Sequence, residues 1–395
     1  MPAWVFITCL GTAQILAWGT SYYLSAVLAK PTAAATGWSL TWVVGGFTLA
    51  LLAAAVVSPR VGSTIDRHGG RPVLAAGATL TALGLLGMAL APSLPFYLLA
   101  WTVVGLGMGA GLYDAAFAAL GRIYGKDARG PITTLTLFGG FASTVGWPLS
   151  AFLLQYTDWR GVCLVYAGIN LLIVLPLYVF GMPKRPPDLP VEDLAPKKPV
   201  ATSAAPSRLD NNTLLFWLVA LAITLNAIVT AVISVHLITI LQAREIALAV
   251  AVGLGALVGP SQVGARLLEM VFGKRLHPVY TMLVSTLLVT VGMGILLAHL
   301  PVIALGLILY GGGLGIRSIA RGTLPLALFG PQGYATLMGK LALPSHLASA
   351  LSPVAGAWLI DHWGIDPTLG IMMALAVGNV AVVLLLIPWV KHRPI

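Results

Sequence analysis

Charge is what this chain has least of. Only 9% of its 395 residues are Asp, Glu, Lys or Arg, against 58% hydrophobic residues and a mean hydropathy of +0.93. A soluble globule carries about 25% charged residues, so this composition excludes one and points to an integral membrane protein. Cysteine is scarce too. Cys9 and Cys163 both lie inside long apolar runs with no metal-ligand spacing, which excludes a disulfide framework and a zinc site. Paired catalytic carboxylates and a nucleophile with its base are also missing, which argues against an enzyme, and no cofactor is expected. The glycine run GLGMGAG at 105–111 is no nucleotide fingerprint, because it follows no strand and lies within an apolar span.

What is abundant is long apolar sequence. A helix needs about 20 residues to cross a bilayer, and twelve such stretches can be marked: near 4–30, 38–59, 72–91, 95–121, 131–154, 161–181, 213–241, 246–270, 278–298, 301–324, 336–360 and 368–390. They are too continuous for the alternating pattern of a membrane barrel, so the expected fold is all-α. The first run is longer than a signal-peptide core and has no basic segment before it, which predicts a retained helix and no cleaved targeting peptide. Residues 182–212, rich in proline and charge, read as a linker between a bundle of six helices (1–181) and a second bundle of six (213–395).

The net charge of +10 is dispersed among the apolar segments, which suits a topology signal and argues against a nucleic-acid partner. With both termini cytoplasmic, Lys30, Arg160 and Arg244 fall outside, Arg266, Arg317 and Arg321 fall within spans, and the other 16 of the 22 basic residues fall inside. That bias fixes the orientation in a plasma membrane, the inner membrane of a bacterium.

The most polar turn is VGSTIDRHGGRPVL at 61–74, which places Asp66, Arg67, His68 and Arg71 between two apolar runs. It resembles the loop between the second and third helices of the major facilitator superfamily, with Gly62 for close helix approach and Asp66, Arg67 and Arg71 as conformational gating residues. A degraded echo, GPSQVGARLLEMVFGKRLHPV, follows the eighth span, as expected of parallel repeats in a 6+6 transporter. The resemblance implies twelve transmembrane helices in two pseudo-symmetric bundles, no enzymatic activity, and a chain that works as a monomer. The stretches YYLSAVLAKPTAAATGWSLTWV, GRIYGKDARG with FGGFASTVGWP, and SVHLITILQAR are similar to the monocarboxylate-transporter-like branch. That likeness implies a small organic anion as substrate, protons as the coupling ion, and Arg266 as the residue that meets the carboxylate. It departs at Gln262, where animal members carry an acid. Trp101 stands where many proton-coupled members carry an arginine, which argues against a mechanism built on that arginine, and Arg122 stands where many exporters carry an acid, which weakens the alternative of a drug efflux antiporter.

Charges inside spans cost about 2.5–3.5 kcal/mol each on insertion scales and therefore face a cavity. Asp114 in the fourth span is expected to pair with Arg317 or Arg321 of the tenth, which are four apart and share a face. Asp114 and His236 are the candidates for proton coupling. Arg266 reads either as a carboxylate clamp or as the partner of Glu269, three residues on. Gln14, Tyr22, Tyr23 and Asn226 complete the expected substrate-binding set, although aromatics such as Tyr22 and Tyr23 also serve as interfacial anchors.

Overall fold

A computed structural model describes residues 2–183, 207–273 and 276–391. Among these residues every regular element is a helix. Joined across their breaks, the helices form twelve rods: α1 (Ala3–Thr20 with Leu24–Thr36), α2 (Leu40–His68), α3 (Gly70–Ala89), α4 (Leu94–Gly111 with Tyr113–Tyr124), α5 (Arg129–Gly140 with Ala142–Leu153), α6 (Trp159–Ile169, a π turn at Asn170–Val174, then Leu175–Gly181), α7 (Ser207–Gln242), α8 (Leu248–Ala256 with Val258–Phe272), α9 (Pro278–Leu297), α10 (Ile303–Phe329), α11 (Tyr334–Trp363) and α12 (Ile365–Lys391). Among the described residues nine stretches are long and apolar enough to cross a bilayer; one of them, Leu94–Leu153, has 60 residues. That length would make a straight helix of about 90 Å, and the chain instead reverses near Gly125, at φ +55°. Most of the expected linker, residues 184–206, lies outside the described residues.

The turn expected around Asp66 is tighter than the sequence suggests. α2 runs on to His68, so Asp66 and Arg67 are helical, and α3 begins at Gly70. Gly69 alone makes the turn. Its φ of +84° lies in the region open to glycine, and its N–H donates to Ile65 O at 2.8 Å.

The buried apolar residues form two clusters centred on the first six rods and two within the last six; the first also takes in Leu326, Tyr334, Ala335 and Met338, and the second Ala350. In lipid, helix association depends on close packing rather than on escape from water. Small residues supply that packing where α2 crosses α11. A Cβ on Gly62 would lie 2.2 Å from Ala335 O, and one on Gly339 would lie 2.3 Å from Ser58 O. Large side chains such as Leu172, Phe180 and Trp217 point outward, as a lipid-facing surface requires.

Candidate functional site

The site begins with a break in α4. The helix stops at Gly111 and restarts at Tyr113, which leaves the Gly111 carbonyl to accept from Gln14 Nε2 at 2.7 Å and from the Tyr178 hydroxyl at 3.3 Å. Gln14 Nε2 also donates to the Tyr178 hydroxyl at 2.9 Å, and its Oε1 accepts from Trp18 Nε1 at 3.2 Å. Gln14 is thus fully buried and occupied in bracing the break. It does not join the arginines.

Beyond the break, Asp114 points toward the second half of the chain. Its carboxylate accepts from Arg321 Nε at 2.9 Å and Nη2 at 2.8 Å, and from His346 Nε2 at 2.9 Å. The three side chains are 13%, 18% and 22% exposed, so this junction of α4, α10 and α11 is largely withdrawn from solvent. The expected pairing of Asp114 with an arginine of the tenth span is present, through Arg321. His346 was not anticipated. An ionisable residue inside a span was the available signal, the same one that singled out Asp114.

Arg317 lies one turn from Arg321 on the same face, farther from the Asp66 end of the molecule. It has no ion pair or hydrogen bond among the described residues, and its Nε is buried without a partner. The charged groups near it are Arg321 and Arg266, both positive, and the side chains of Tyr310 and Tyr22 also lie in its neighbourhood. Tyr22 and Tyr23 occupy the break between the two segments of α1 and belong to an aromatic wall with Trp18, Phe47, Tyr113 and Trp147, at ring-centroid separations of 5.0–5.7 Å for the closer pairs. The structure therefore brings Tyr22, Arg317 and Arg321 together.

Arg266 does not pair with Glu269. Its Nε donates to Ser318 Oγ at 3.0 Å and Gly315 O at 3.3 Å, its Nη1 to Thr136 O at 3.0 Å, and its Nη2 to Gln262 Oε1 at 3.4 Å. Among the described residues no carboxylate pairs with it. Glu269 instead meets Arg129 of α5 at 3.2 Å and Thr281 Oγ1 at 3.3 Å. Asn226 holds Thr230 through its Oδ1, and its Nδ2 is buried with no partner. His236 Nε2 contacts Pro353 O at 2.9 Å, a bond inside the second half and away from Asp114.

The hydrogen bonds that join the two halves, among the described residues, lie between mid-depth and the end that carries Asp66. Asp66 Oδ2 accepts from Thr336 N at 2.7 Å and Thr336 Oγ1 at 2.5 Å. Thr336 is the third residue of α11, so the carboxylate caps that helix where its dipole is positive. Arg129 reaches across to the carbonyls of Gly273, at 2.6 Å, and Leu276. Tyr334 donates to Gly322 O at 2.6 Å and fills the space over Gly121. That end is closed by contacts between α2 and α11 and between α5 and α8. Arg67 is exposed and Arg71 half-buried, and neither forms an ion pair among the described residues. Among the described residues no three His, Cys, Asp or Glu side chains gather as a metal would need.

Twelve packed rods, with the few embedded charges at the junction of the halves, define a membrane transporter fold. The profile of the Major Facilitator Superfamily matches residues 8–276, and the chain belongs to that superfamily. Among curated proteins it is 36% identical over 133 residues to an uncharacterized 38 kDa protein in a 23S RNA operon of Thermoproteus tenax, covering 33% of this chain and 34% of that one. It is 35% identical over 158 residues to monocarboxylate transporter 11 of Mus musculus, covering 37% and 34%. The alignments thus span about a third of these relatives' lengths. Among solved structures, FucP in the outward conformation superposes with a TM-score of 0.73 at 15% identity, over 98% of each chain. The human organic anion transporter MFSD10 gives 0.72 at 17% identity, over 97% of this chain and all of that one.

Proposed function

We propose that the protein is a secondary transporter that carries a small organic anion, a monocarboxylate, by alternating access with proton symport. The observation that carries this reading is Arg317, a cation at the junction of the two halves with no acid of its own. Arg266, which also lacks a carboxylate partner, and the hydroxyl of Tyr22 flank it. A guanidinium holds a carboxylate through two parallel hydrogen bonds and stays charged when buried. In this reading the substrate carboxylate supplies the missing negative charge between α1 and α10. Asp114, Arg321 and His346 form the coupling element: a proton taken up by His346 or Asp114 alters the pairing that ties α4 to α10 and α11. His236 is bonded elsewhere and is the weaker candidate for that role.

The names of two similar proteins support an anion, since one is a monocarboxylate transporter and the other an organic anion transporter. A cationic drug would meet an excess of embedded arginine, which disfavours the efflux alternative. The same reading divides the chain into bundles 1–181 and 213–395, places the Asp66 end and both termini in the cytoplasm of a cell with this protein in its plasma membrane, and makes the form described here open to the outside. It works as a monomer.

The test is uptake of labelled monocarboxylates into proteoliposomes. Uptake should rise when the outside is acidified and collapse with a protonophore. Transport of cationic dyes with no carboxylate uptake would overturn the reading.

A further inference from the structure

The N-terminus of α3 has no side-chain cap. Gly69 stands at the cap position, and the N–H groups of Gly70 and Arg71 are followed by Pro72, which has none. Gly70 packs on α4, since a Cβ there would come within 2.2 Å of the Ala119 Cβ. Arg122 lies three residues beyond Ala119 and so on the same face of α4. The result is a small surface cleft whose lining includes His68, Arg71 and Arg122 with Gly70, Pro72 and Met182. Among the described residues no acidic side chain lines it. Asp66, the nearest acid in sequence, is turned to Thr336. Arg122 Nε is closed to solvent and has no hydrogen-bond partner, and neither Arg71 nor Arg122 forms an ion pair among the described residues.

Two arginines beside the positive end of a helix repel one another, and an anion relieves that repulsion. Guanidinium forks and free backbone N–H groups together suit an oxygen-rich, tetrahedral anion. We propose that this cleft binds a phosphate group, supplied either by an anionic lipid headgroup or by free phosphate. It lies where the apolar parts of α2 and α3 end, at the height of headgroups, on the end of the molecule richest in Lys and Arg. Because Gly69 is three residues from Asp66, a phosphate there steadies the turn that presents Asp66 to α11. This site is separate from the one at Arg317 and does not depend on the substrate proposed for it.

The full chain is reconstituted in nanodiscs of phosphatidylcholine with and without phosphatidylglycerol, and separately held in detergent with inorganic phosphate against chloride at equal ionic strength. The readout is the thermal unfolding midpoint, which a ligand of the native state raises. Phosphatidylglycerol should raise it, and R122Q should weaken the apparent affinity at least about tenfold. R71Q should act in the same direction, which keeps the test valid if R122Q fails to fold. K126Q, which replaces an exposed lysine outside the cleft lining, should behave as wild type. A rise with inorganic phosphate alone, lost in R122Q, would also support the site and identify soluble phosphate as its source. No rise with either, an undiminished rise in both arginine variants, or an equal loss in K126Q would overturn it.

Discussion

Asp114 and Arg321, 207 residues apart, meet through two parallel hydrogen bonds of 2.9 and 2.8 Å. The pair joins α4 to α10 across the two halves, and His346 adds a third bond from α11. Both side chains are mostly buried, so each depends on the other for its charge to be tolerated there.

Removing the acid should therefore do two things. D114N should destabilise the fold by about 3 kcal/mol or more, because it leaves a buried arginine uncompensated. It should also flatten the pH dependence of uptake, and H346Q should flatten it without the large loss of stability. Thermal unfolding and uptake across external pH separate the two effects. Normal pH dependence in both variants would remove this junction from the coupling role.

Arg317 and Arg321 should respond differently to the same change. R317K breaks no bond inside the protein, so it should keep the unfolding midpoint while weakening binding of a carboxylate substrate about tenfold or more. R321K loses the two-pronged pair with Asp114 and should be destabilised. Calorimetry on an identified ligand, together with thermal unfolding, checks both. Wild-type affinity in R317K would sink its role as carboxylate clamp.

D66N keeps an oxygen for the Thr336 N–H but loses the charge that faces the helix dipole, worth about 0.3–1 kcal/mol. The expected outcome is a shift of conformational balance toward opening of the Asp66 end, with binding retained. Cysteine probes placed on the cavity wall and labelled from each side would show it, and unchanged labelling in both directions would count against it.

His277 sets a pH limit at the same end. It is buried, its Nδ1 accepts from Val279 N at 3.2 Å at the start of α9, and burial followed by the nearby charge of Arg129 lowers its pKa below 6.5. The folded state thus resists a proton that the unfolded chain accepts. The stabilisation is full above pH 6.5 and is lost as pH falls through the folded pKa. H277N replaces the ring-nitrogen acceptor by a capping oxygen that does not titrate, so its unfolding midpoint should fall less between pH 7 and pH 5 than that of wild type. Parallel pH profiles would refute the assignment.

The helical class, the membrane setting and one long-range contact were legible in the sequence. The pairing of Asp114 with one of the two arginines of the tenth span followed from rare charges at helical spacing, and the structure selects Arg321. Glu269 was not legible, because three residues to Arg266 suggested a local pair while its true partner, Arg129, lies 140 residues away on α5. Arg266 turned to carbonyls, and backbone oxygens carry no signature in a sequence. Gln14 looked like a ligand group because the need it meets, an orphaned carbonyl at the α4 break, exists only once that helix is broken. The Asp66 segment read as a loop since charge ends a span, yet a helix can continue past the bilayer surface.

The crossing of α2 and α11 at Gly62 and Gly339 is backbone against backbone, with no side chains to reorder when it parts. α2 is a stiff rod of about 43 Å by the rise of its 29 residues. A single methyl group inserted at Gly62 would therefore act as a wedge near one end of a lever, and the opening it forces would be passed along the rod toward Trp42. Small size at these two positions is a mechanical tolerance on the whole molecule, set far from any atom that touches cargo.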